Sequence, residues 1–325
     1  MNVTDASLAA LLLGNRIVDV GQTPLTASEF WALCARVDDI SVLLGMPAAA
    51  IARVASVSAD DARRYAALLA AGTAFAFERE RLADEGVRLI SALDDEFPAR
   101  LRRRLGTACP SFLLVAGPTE FLERGALAVV GLRNASPMAV EVAASVARIA
   151  AAGQRVVVSG LAHGVDQASV DAALDVGVPV VGVPDEGMRM VARRAEIRRR
   201  AHSGELCIIS PYSPAARATT ANAMGRNKLI YGLAELTLVV CTNDVSGGTW
   251  RGAHEAIGRG FGRVAVWTGP GAGSANAKLL DLGGVAVGDL GHLADLLGSV
   301  PNPADEAPPD PTPGPDTVTQ PTLFD

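Results

Sequence analysis

Short runs of β-branched and other apolar residues recur between residues 86 and 297, and stretches of helical length separate them. Strands that are apolar along their whole length are typical of a parallel sheet that helices cover on both faces. The alternation therefore predicts an α/β fold with a doubly wound, mostly parallel sheet, whose ligands bind at the carboxyl ends of the strands. The predicted strands are Phe112–Val115, Ala126–Val130, Arg155–Ser159, Val178–Val183, Leu206–Ser210, Leu236–Cys241 and Arg263–Trp267.

The segments on either side of this region have different patterns. Residues 1–85 show helical spacing, which predicts a small N-terminal helical domain before the sheet domain of residues 86–297. Residues 298–325 contain eight of the 19 prolines, five acidic residues and no basic residue. Because such a composition cannot pack a core, we expect a disordered, proline-rich acidic tail.

Composition excludes several classes of protein. The chain is 49% hydrophobic, which is enough for a sizeable core, yet its apolar runs are far shorter than the ~20 residues of a membrane span. The four cysteines lie far apart and form no metal-ligand spacing with the four histidines. The N-terminus has no signal-peptide pattern. We therefore expect a cytoplasmic protein with no membrane segment, no metal and no cofactor.

The charge is distributed unevenly along the chain. A formal net charge of −6 argues against a broadly basic nucleic-acid-binding protein. The tail contributes −5 of this charge, however, so the remaining body carries only −1 (−6 minus −5). A nearly neutral body is compatible with a local basic patch, so a nucleic-acid ligand stays open.

Three turns rich in glycine and small polar residues each follow a predicted strand and precede a predicted helix. Backbone N–H groups in such turns approach an anion closely, and the start of the helix adds positive potential. Because the carboxyl ends of parallel strands meet at one edge of a sheet, we expect the turns to form a phosphate-binding edge. The turns are Gly131–Ser136, Ser159–Asp166 and Ser246–Thr249.

Motifs of common nucleotide-binding and hydrolytic sites are absent from the sequence. It contains no P-loop, no dinucleotide fingerprint followed by an acidic residue, and no G-x-S-x-G nucleophile elbow. The glycine turns are therefore not explained by NTP hydrolysis, by dinucleotide binding or by serine-dependent hydrolysis.

Basic residues provide further candidate phosphate contacts. Arg133 in the first turn offers a forked, bidentate donor, and Arg226 and Lys228 flank Asn227 at a predicted helix N-terminus. Cations oppose the helix dipole at that position, so an anion in front of them would be favourable. Two more basic runs are either solvated helix faces or nucleic-acid contacts: the arginines of residues 189–200, in one predicted helix, and those of residues 100–104.

These motifs, in this order, resemble the DprA/Smf family of DNA-processing proteins. The Gly-Arg-Asn-Lys segment at 225–228 and the Ser-Gly-Leu-Ala-x-Gly-Val-Asp segment at 159–166 are its specific signatures. The resemblance implies a Rossmann-like domain that binds single-stranded DNA, forms a homodimer, loads a RecA-type recombinase and catalyses no known reaction. By resemblance the DNA phosphates contact Gly131, Arg133, Ser136, Ser159, Gly160, Gly164, Asp166, Arg226, Asn227, Lys228, Ser246, Gly247, Gly248 and Thr249.

The cellular role and one alternative function stay open. The resemblance fits recombination, DNA uptake in transformation, DNA protection and phage defence. The segment Ser246–Glu255 also resembles the lysine-decarboxylase-like nucleotide hydrolases of the LOG family. That resemblance implies a nucleotide-binding or nucleotide-hydrolysing protein in which Glu255 or Asp166 acts as acid or base.

The last residues of the tail, from Gln320 to Asp325, resemble the peptide by which bacterial proteins bind the replication sliding clamp. An extended segment that offers one amide and two apolar side chains fits a groove on such a partner. The resemblance implies clamp contacts by Gln320, Leu323 and Phe324, and a chance match of a short motif is the alternative.

Overall fold

The computed structural model describes residues 4–14 and 16–300. Within them the strands, numbered along the chain, are β1 (Arg88–Ser91), β2 (Phe112–Ala116), β3 (Ala126–Val130), β4 (Val156–Ser159), β5 (Val180–Gly182), β6 (Leu206–Ser210), β7 (Leu236–Val239), β8 (Arg263–Trp267) and β9 (Val285–Val287). They form one sheet in the order β1-β2-β6-β5-β4-β3-β7-β8-β9.

The sheet is mostly parallel, as predicted. Only β2 runs antiparallel to its neighbours, β1 and β6, among the strands of the described residues. All seven predicted strands are present; three have the predicted ends, and the other four differ from them by one or two residues at an end. Strands β1 and β9 are not predicted from the sequence, because each is short, lies at an edge of the sheet and is partly exposed.

The helices surround this sheet and several begin at a polar cap. The side chain of Thr26 caps the second helix in a capping box with Glu29, and Ser58 and Ser136 cap the fourth and seventh. Every helix in the described ranges is too short or too polar to span a bilayer. The helices are α1 (Asp5–Leu13), α2 (Ala27–Cys34), α3 (Ala48–Val54), α4 (Ala59–Leu69), α5 (Gly72–Asp84), α6 (Ala99–Leu105), α7 (Pro137–Ala152), α8 (Val165–Asp175), α9 (Met188–Val191), α10 (Ala195–His202), α11 (Thr220–Leu233), α12 (Gly248–Arg259), α13 (Asn276–Asp281) and α14 (Leu290–Gly298), with short 3₁₀ helices at Ile40–Leu43, Gly106–Ala108 and Thr119–Leu122.

Two apolar clusters cover the two faces of the sheet. Successive strand residues point to opposite faces, so Phe112 and Leu114 of β2 join one cluster while Leu113 and Val115 join the other. The first cluster runs without a break from α1–α5 to α7, α8 and α14, and the second contains α6, α11, α12 and α13. The N-terminal helices therefore share a core with the sheet, and helices cover both of its faces.

The basic run at residues 189–200 forms two helices, α9 and α10, and the prediction of one helix is wrong. Arg194 lies between them with an extended backbone. Its guanidinium donates to Leu161 O at 3.0 Å and to Glu186 Oε1 at 2.5 Å. These contacts fix the residue that precedes α10 against the second glycine turn, which interrupts the helix.

The basic residues at 100–104 fold largely into the protein. Arg100 is buried, and its Nη1 lies 2.5 Å from Glu235 Oε1. Arg102 donates to Ala92 O at 2.9 Å, and Arg104 donates to backbone carbonyl groups at the end of α11. These three arginines therefore form neither a solvated helix face nor a DNA contact, because groups of the protein itself bind their guanidinium ions.

Candidate functional site

A cleft with a volume of about 460 Å³ lies at the carboxyl edge of the sheet. The strand order reverses at β3, which lies between β4 and β7, and such a switch point is the usual ligand site of a doubly wound sheet. The cleft is lined by Val130, Gly131, Leu132, Arg133, Asn134, Ala162, Asp166, Ala223, Arg226, Asn227, Tyr231, Thr242, Asn243, Asp244, Gly247, Gly248 and Thr249.

The first turn, between β3 and α7, places Arg133 at the mouth of the cleft. A side chain on Gly131 would meet Val165 of α8 at 2.5 Å, so glycine allows this turn to approach the neighbouring helix. Arg133 Nη2 lies 2.7 Å from Asp185 Oδ2, yet the Arg133 side chain stays 58% exposed. Since a guanidinium has five N–H donors, donors remain for a ligand.

The second turn, between β4 and α8, packs closely against the first turn and against α11. Gly164 has φ +82°, and a side chain there would overlap carbonyl oxygens of the first turn. A side chain on Gly160 would overlap the guanidinium of Arg226. Ser159 is buried and donates to Val129 O at 2.7 Å. The glycines thus let Arg226 lie across this turn.

The third turn, between β7 and α12, is joined to the first. Thr249 Oγ1 donates to Gly131 O at 3.0 Å. The carboxylate of Asp244 accepts from the backbone N of Ser246 at 2.8 Å and from its hydroxyl group. The N-cap of α12 is Gly247, which has no side chain to occupy the first N–H groups of the helix. Those donors and the positive helix end therefore face the cleft.

Residues 226–228 lie in the middle of α11, and the prediction that they begin a helix is wrong. The helix begins at Thr220, where the hydroxyl group of Thr219 accepts from Asn222 N at 3.0 Å. A threonine N-cap followed by alanine and methionine explains the earlier start. These cations therefore do not oppose the helix dipole, and Arg226 reaches the cleft from the side of the helix.

A buried ion pair forms the floor of the cleft. Arg226 Nη2 lies 3.5 Å from Asp166 Oδ2, and both side chains are less than a tenth exposed. Burial raises the pKa of Asp166, although the charge of Arg226 acts in the opposite direction. Arg226 Nε and the Tyr231 hydroxyl group have no hydrogen-bond partner among the described residues. Buried polar groups of this kind favour a ligand that satisfies them.

The cleft brings together eight of the predicted contact residues, and six lie around it. The eight are Gly131, Arg133, Asp166, Arg226, Asn227, Gly247, Gly248 and Thr249. Among the six, Ser136 caps α7, Lys228 pairs with Glu255, and Ser246 binds Asp244. The other three shape the second turn: Ser159, Gly160 and Gly164. The predicted clamp contacts, Gln320, Leu323 and Phe324, lie outside the described residues.

Two residues that shape the site, Asp185 and Asn276, are not predicted from the sequence. Asp185, the partner of Arg133, follows the end of β5, and an acid after a predicted strand is a signal that could have found it. The buried carboxamide of Asn276 accepts from Thr242 N at 2.8 Å and donates to Val240 O and Trp267 O. It fixes the start of the loop after β7, and no sequence motif marks it.

The two carboxyl groups proposed as acid or base are both held by cations. Glu255 does not line the cleft, and its Oε1 lies 3.4 Å from Lys228 Nζ and 3.7 Å from Arg259 Nε. Asp166 is paired with Arg226. In the part of the chain that the structure describes, no group of three or more His, Cys, Asp or Glu residues is placed to hold a metal ion.

A family model for DNA recombination-mediator protein A matches residues 88–275, a range that includes all three turns and α11. The chain belongs to this family. The match covers more than half of the sequence, and it confirms the resemblance to DprA/Smf proteins.

Curated relatives in this family extend beyond the matched region. The putative DNA processing protein DprA of Mycobacterium tuberculosis strain ATCC 25618 / H37Rv is 32% identical over 249 residues. The protein of strain CDC 1551 / Oshkosh is equally similar. The alignment covers 69% of this chain and 63% of each relative, so the chain spans less than two thirds of their length.

Two solved structures share the fold. The DNA processing protein A of Streptococcus pneumoniae has a TM-score of 0.68 at 22% identity, covering 93% of this chain and 99% of that one. The protein of Helicobacter pylori, whose structure concerns its single-stranded DNA binding mode, has a TM-score of 0.54 at 18% identity, covering 66% and 97%. These likenesses confirm the Rossmann-like α/β architecture.

Proposed function

We propose that the chain binds single-stranded DNA through its phosphates, without chemically changing it, in a DNA-processing role of the DprA type. The convergence of three glycine turns with Arg133 and Arg226 on one cleft carries this proposal. Backbone N–H groups and guanidinium ions bind phosphate oxygens whatever the adjoining base, so we expect binding that does not depend on DNA sequence.

The depth of the cleft favours a single strand over a duplex. Its unpartnered donors, on Arg226 and Tyr231, are buried on the cleft floor, so a ligand group must enter the cleft to reach them. A flexible single strand can direct one phosphate inward without breaking base pairs. Single-stranded DNA is also the ligand of the Helicobacter pylori protein, and we extend that ligand to this chain.

The positions of the two candidate acidic residues, Asp166 and Glu255, favour DNA binding over nucleotide hydrolysis. A general acid or base needs a carboxyl group that reaches the ligand, but Asp166 is paired with Arg226, and Glu255 lies outside the cleft lining. We therefore prefer a DNA-binding protein to the nucleotide hydrolase that the LOG resemblance implies.

Two proposed partners follow from the family: a second copy of the chain and a RecA-type recombinase. A third, the replication sliding clamp, follows from the resemblance of the tail, through Gln320, Leu323 and Phe324, to a clamp-binding peptide. We place the activity in the cytoplasm, which fits four cysteines that form no disulfide. Recombination, DNA uptake and phage defence are the candidate pathways.

Binding of a fluorescein-labelled oligothymidylate, followed by anisotropy at several salt concentrations, tests the proposal. We expect the logarithm of the association constant to fall linearly with the logarithm of salt, with a slope of about −0.7 per phosphate contacted. Arg133→Ala should weaken binding roughly 10- to 100-fold, because a charge-assisted hydrogen bond contributes about 1.5–3 kcal/mol. Arg148→Ala, at an exposed position on α7 that does not line the cleft, is the control.

Two outcomes would contradict the proposal. One is no binding by the wild-type chain, or binding that does not respond to salt. The other is release of a free base when the protein is incubated with nucleoside monophosphates, which would support the hydrolase instead.

A further inference from the structure

The cations of the cleft are neutralised within the protein. Each basic residue that the sequence marks as a phosphate contact has a carboxylate partner, so these residues and their partners together carry no net charge. A polyanion, however, gains binding free energy when unneutralised cations displace its counterions. The pairs are Arg133 with Asp185 at 2.7 Å, Arg226 with Asp166 at 3.5 Å and Lys228 with Glu255 at 3.4 Å.

The arginine-rich run at residues 189–200 supplies little of the missing charge. Most of its guanidinium groups also face carboxylates, and α10 itself carries the acidic Glu196. The pairs are Arg189 with Glu78 and Glu85, Arg194 with Glu186, and Arg199 and Arg200 with Glu196. The most conspicuous basic segment of the sequence is therefore a poor candidate for DNA attraction.

Two exposed arginines beside the cleft have no carboxylate partner among the described residues. Arg217 precedes α11, and its carbonyl oxygen accepts from Asn222 Nδ2 at 3.1 Å, so it lies against the first turn of that helix. Arg251 lies on α12, with its Nη1 3.9 Å from the sulfur of Met224 on α11. The same part of α11 lines the cleft through Ala223.

A third exposed cation, Lys278, lies on α13, and Ala275 just before that helix donates its N–H at 2.8 Å to the carbonyl oxygen of Thr242, a residue of the cleft lining before the third turn. The carboxylate of Asp244 lines the cleft there. Hydrogen bonds from Ser246 hold the pKa of Asp244 below its usual value, and the charges of Arg251 and Lys278 add to this effect. Two cations and one carboxylate therefore meet at this rim, which leaves an excess of positive charge.

We propose that Arg217 and Arg251 bind the phosphates on either side of the one held in the cleft, and that these two residues supply most of the salt-dependent attraction for the strand. This inference rests on the proposed function. The cleft then provides directional hydrogen bonds from neutral pairs, while the rim beside α11 provides net charge, assisted by Lys278.

Arg217→Gln and Arg251→Gln, each titrated with fluorescein-labelled oligothymidylate over a range of salt, test this assignment. We expect each substitution to reduce the magnitude of the log–log slope by about 0.7, one phosphate contact. Arg251→Lys, which keeps the charge, should keep the slope. The matched control is Arg198→Gln on α10, another exposed arginine, which lines a separate groove beside Glu85 and His202.

The outcomes separate this inference from the proposed function. If the wild-type chain binds with a steep slope and both Gln variants keep it, the assignment of Arg217 and Arg251 is wrong while DNA binding stands. If Arg198→Gln lowers the slope as much as they do, the effect is one of total charge, and the assignment is also wrong. If the wild-type chain does not bind DNA at any salt concentration, both proposals fail. Thermal melting of each variant checks that these exposed substitutions leave the fold intact.

Discussion

At the scale of single residues, Arg226 has two tasks. It is almost fully buried, it compensates Asp166, and it has space for its guanidinium only because position 160 is glycine. A buried carboxylate that loses its partner is strongly destabilising, since its charge is then neither hydrated nor paired. The residue that we assign to phosphate binding is therefore also needed for folding.

This double task predicts a pH-dependent stability defect in Arg226→Ala. Burial raises the pKa of Asp166 in the folded protein. The contribution of Asp166 to the free energy of unfolding is therefore greatest below the pKa that Asp166 has in the unfolded chain, and it is lost as pH rises through the pKa of Asp166 in the folded protein. Removal of Arg226 raises the folded pKa further. We expect the variant to lose about 3–5 kcal/mol of unfolding free energy near neutral pH, and less at about pH 5.

Urea titrations at both pH values measure this difference. The control is the double variant Asp166→Asn with Arg226→Ala, which has no titrating group at this point, so its unfolding free energy should change with pH less than that of the single variant. A deficit in the single variant that is equal at both pH values would show that Asp166 does not titrate as described.

At the scale of elements, the wall of the cleft depends on how closely α11 and α12 approach. Asn227 Nδ2 donates to Gly248 O at 3.2 Å, and a side chain on Gly252 would lie 2.6 Å from the same nitrogen. The absence of a side chain at 252 thus lets the Asn227 amide reach the start of α12. Helix α12 also contains Gly258, where an added Cβ would meet nothing within 4 Å.

Gly252 and Gly258 of α12 give a matched pair of variants. We expect Gly252→Ala to weaken binding of the labelled oligothymidylate several-fold, because the Asn227 amide is displaced from Gly248. Gly258→Ala should leave binding unchanged and raise the unfolding free energy by about 0.5–1 kcal/mol, since alanine is favoured over glycine in a helix. Equal binding by both variants would show that the position of Asn227 does not matter.

The sequence reveals the elements better than it reveals their contacts. Strands such as Ala126–Val130 are predictable because a strand buried on both faces needs an uninterrupted apolar run. The start of α11 is not predictable in this way, because the N-cap at Thr219 is a weak signal beside the basic residues that follow it. The pairs that neutralise Arg133 and Arg226 join residues 52 and 60 positions apart, and no local pattern records such contacts.

At the scale of the whole molecule, net charge opposes the proposed ligand. The chain carries −6, and residues 301–325 account for −5 of this. Exposed charges act over about 10 Å at 0.1 M salt, so an acidic segment repels DNA most strongly when salt is low.

Deletion of residues 301–325 should therefore tighten DNA binding at low salt, and the difference should vanish as salt is raised. The control replaces the five acidic residues of this segment by Asn or Gln and keeps its length, and it should behave like the deletion. If the neutral segment instead binds DNA as weakly as the wild type, the segment acts by something other than its charge.

The unbroken apolar cluster that joins α1–α5 to the sheet has a practical consequence for the expression of shorter fragments of this protein. The family match begins at residue 88, which invites a fragment that starts there. Such a cut would strip the cover from Phe112 and Leu114 and from their neighbours on the same side. The exposed apolar surface would make the fragment prone to aggregate. The first residue of the family match is therefore a poor guide to where the polypeptide can be divided.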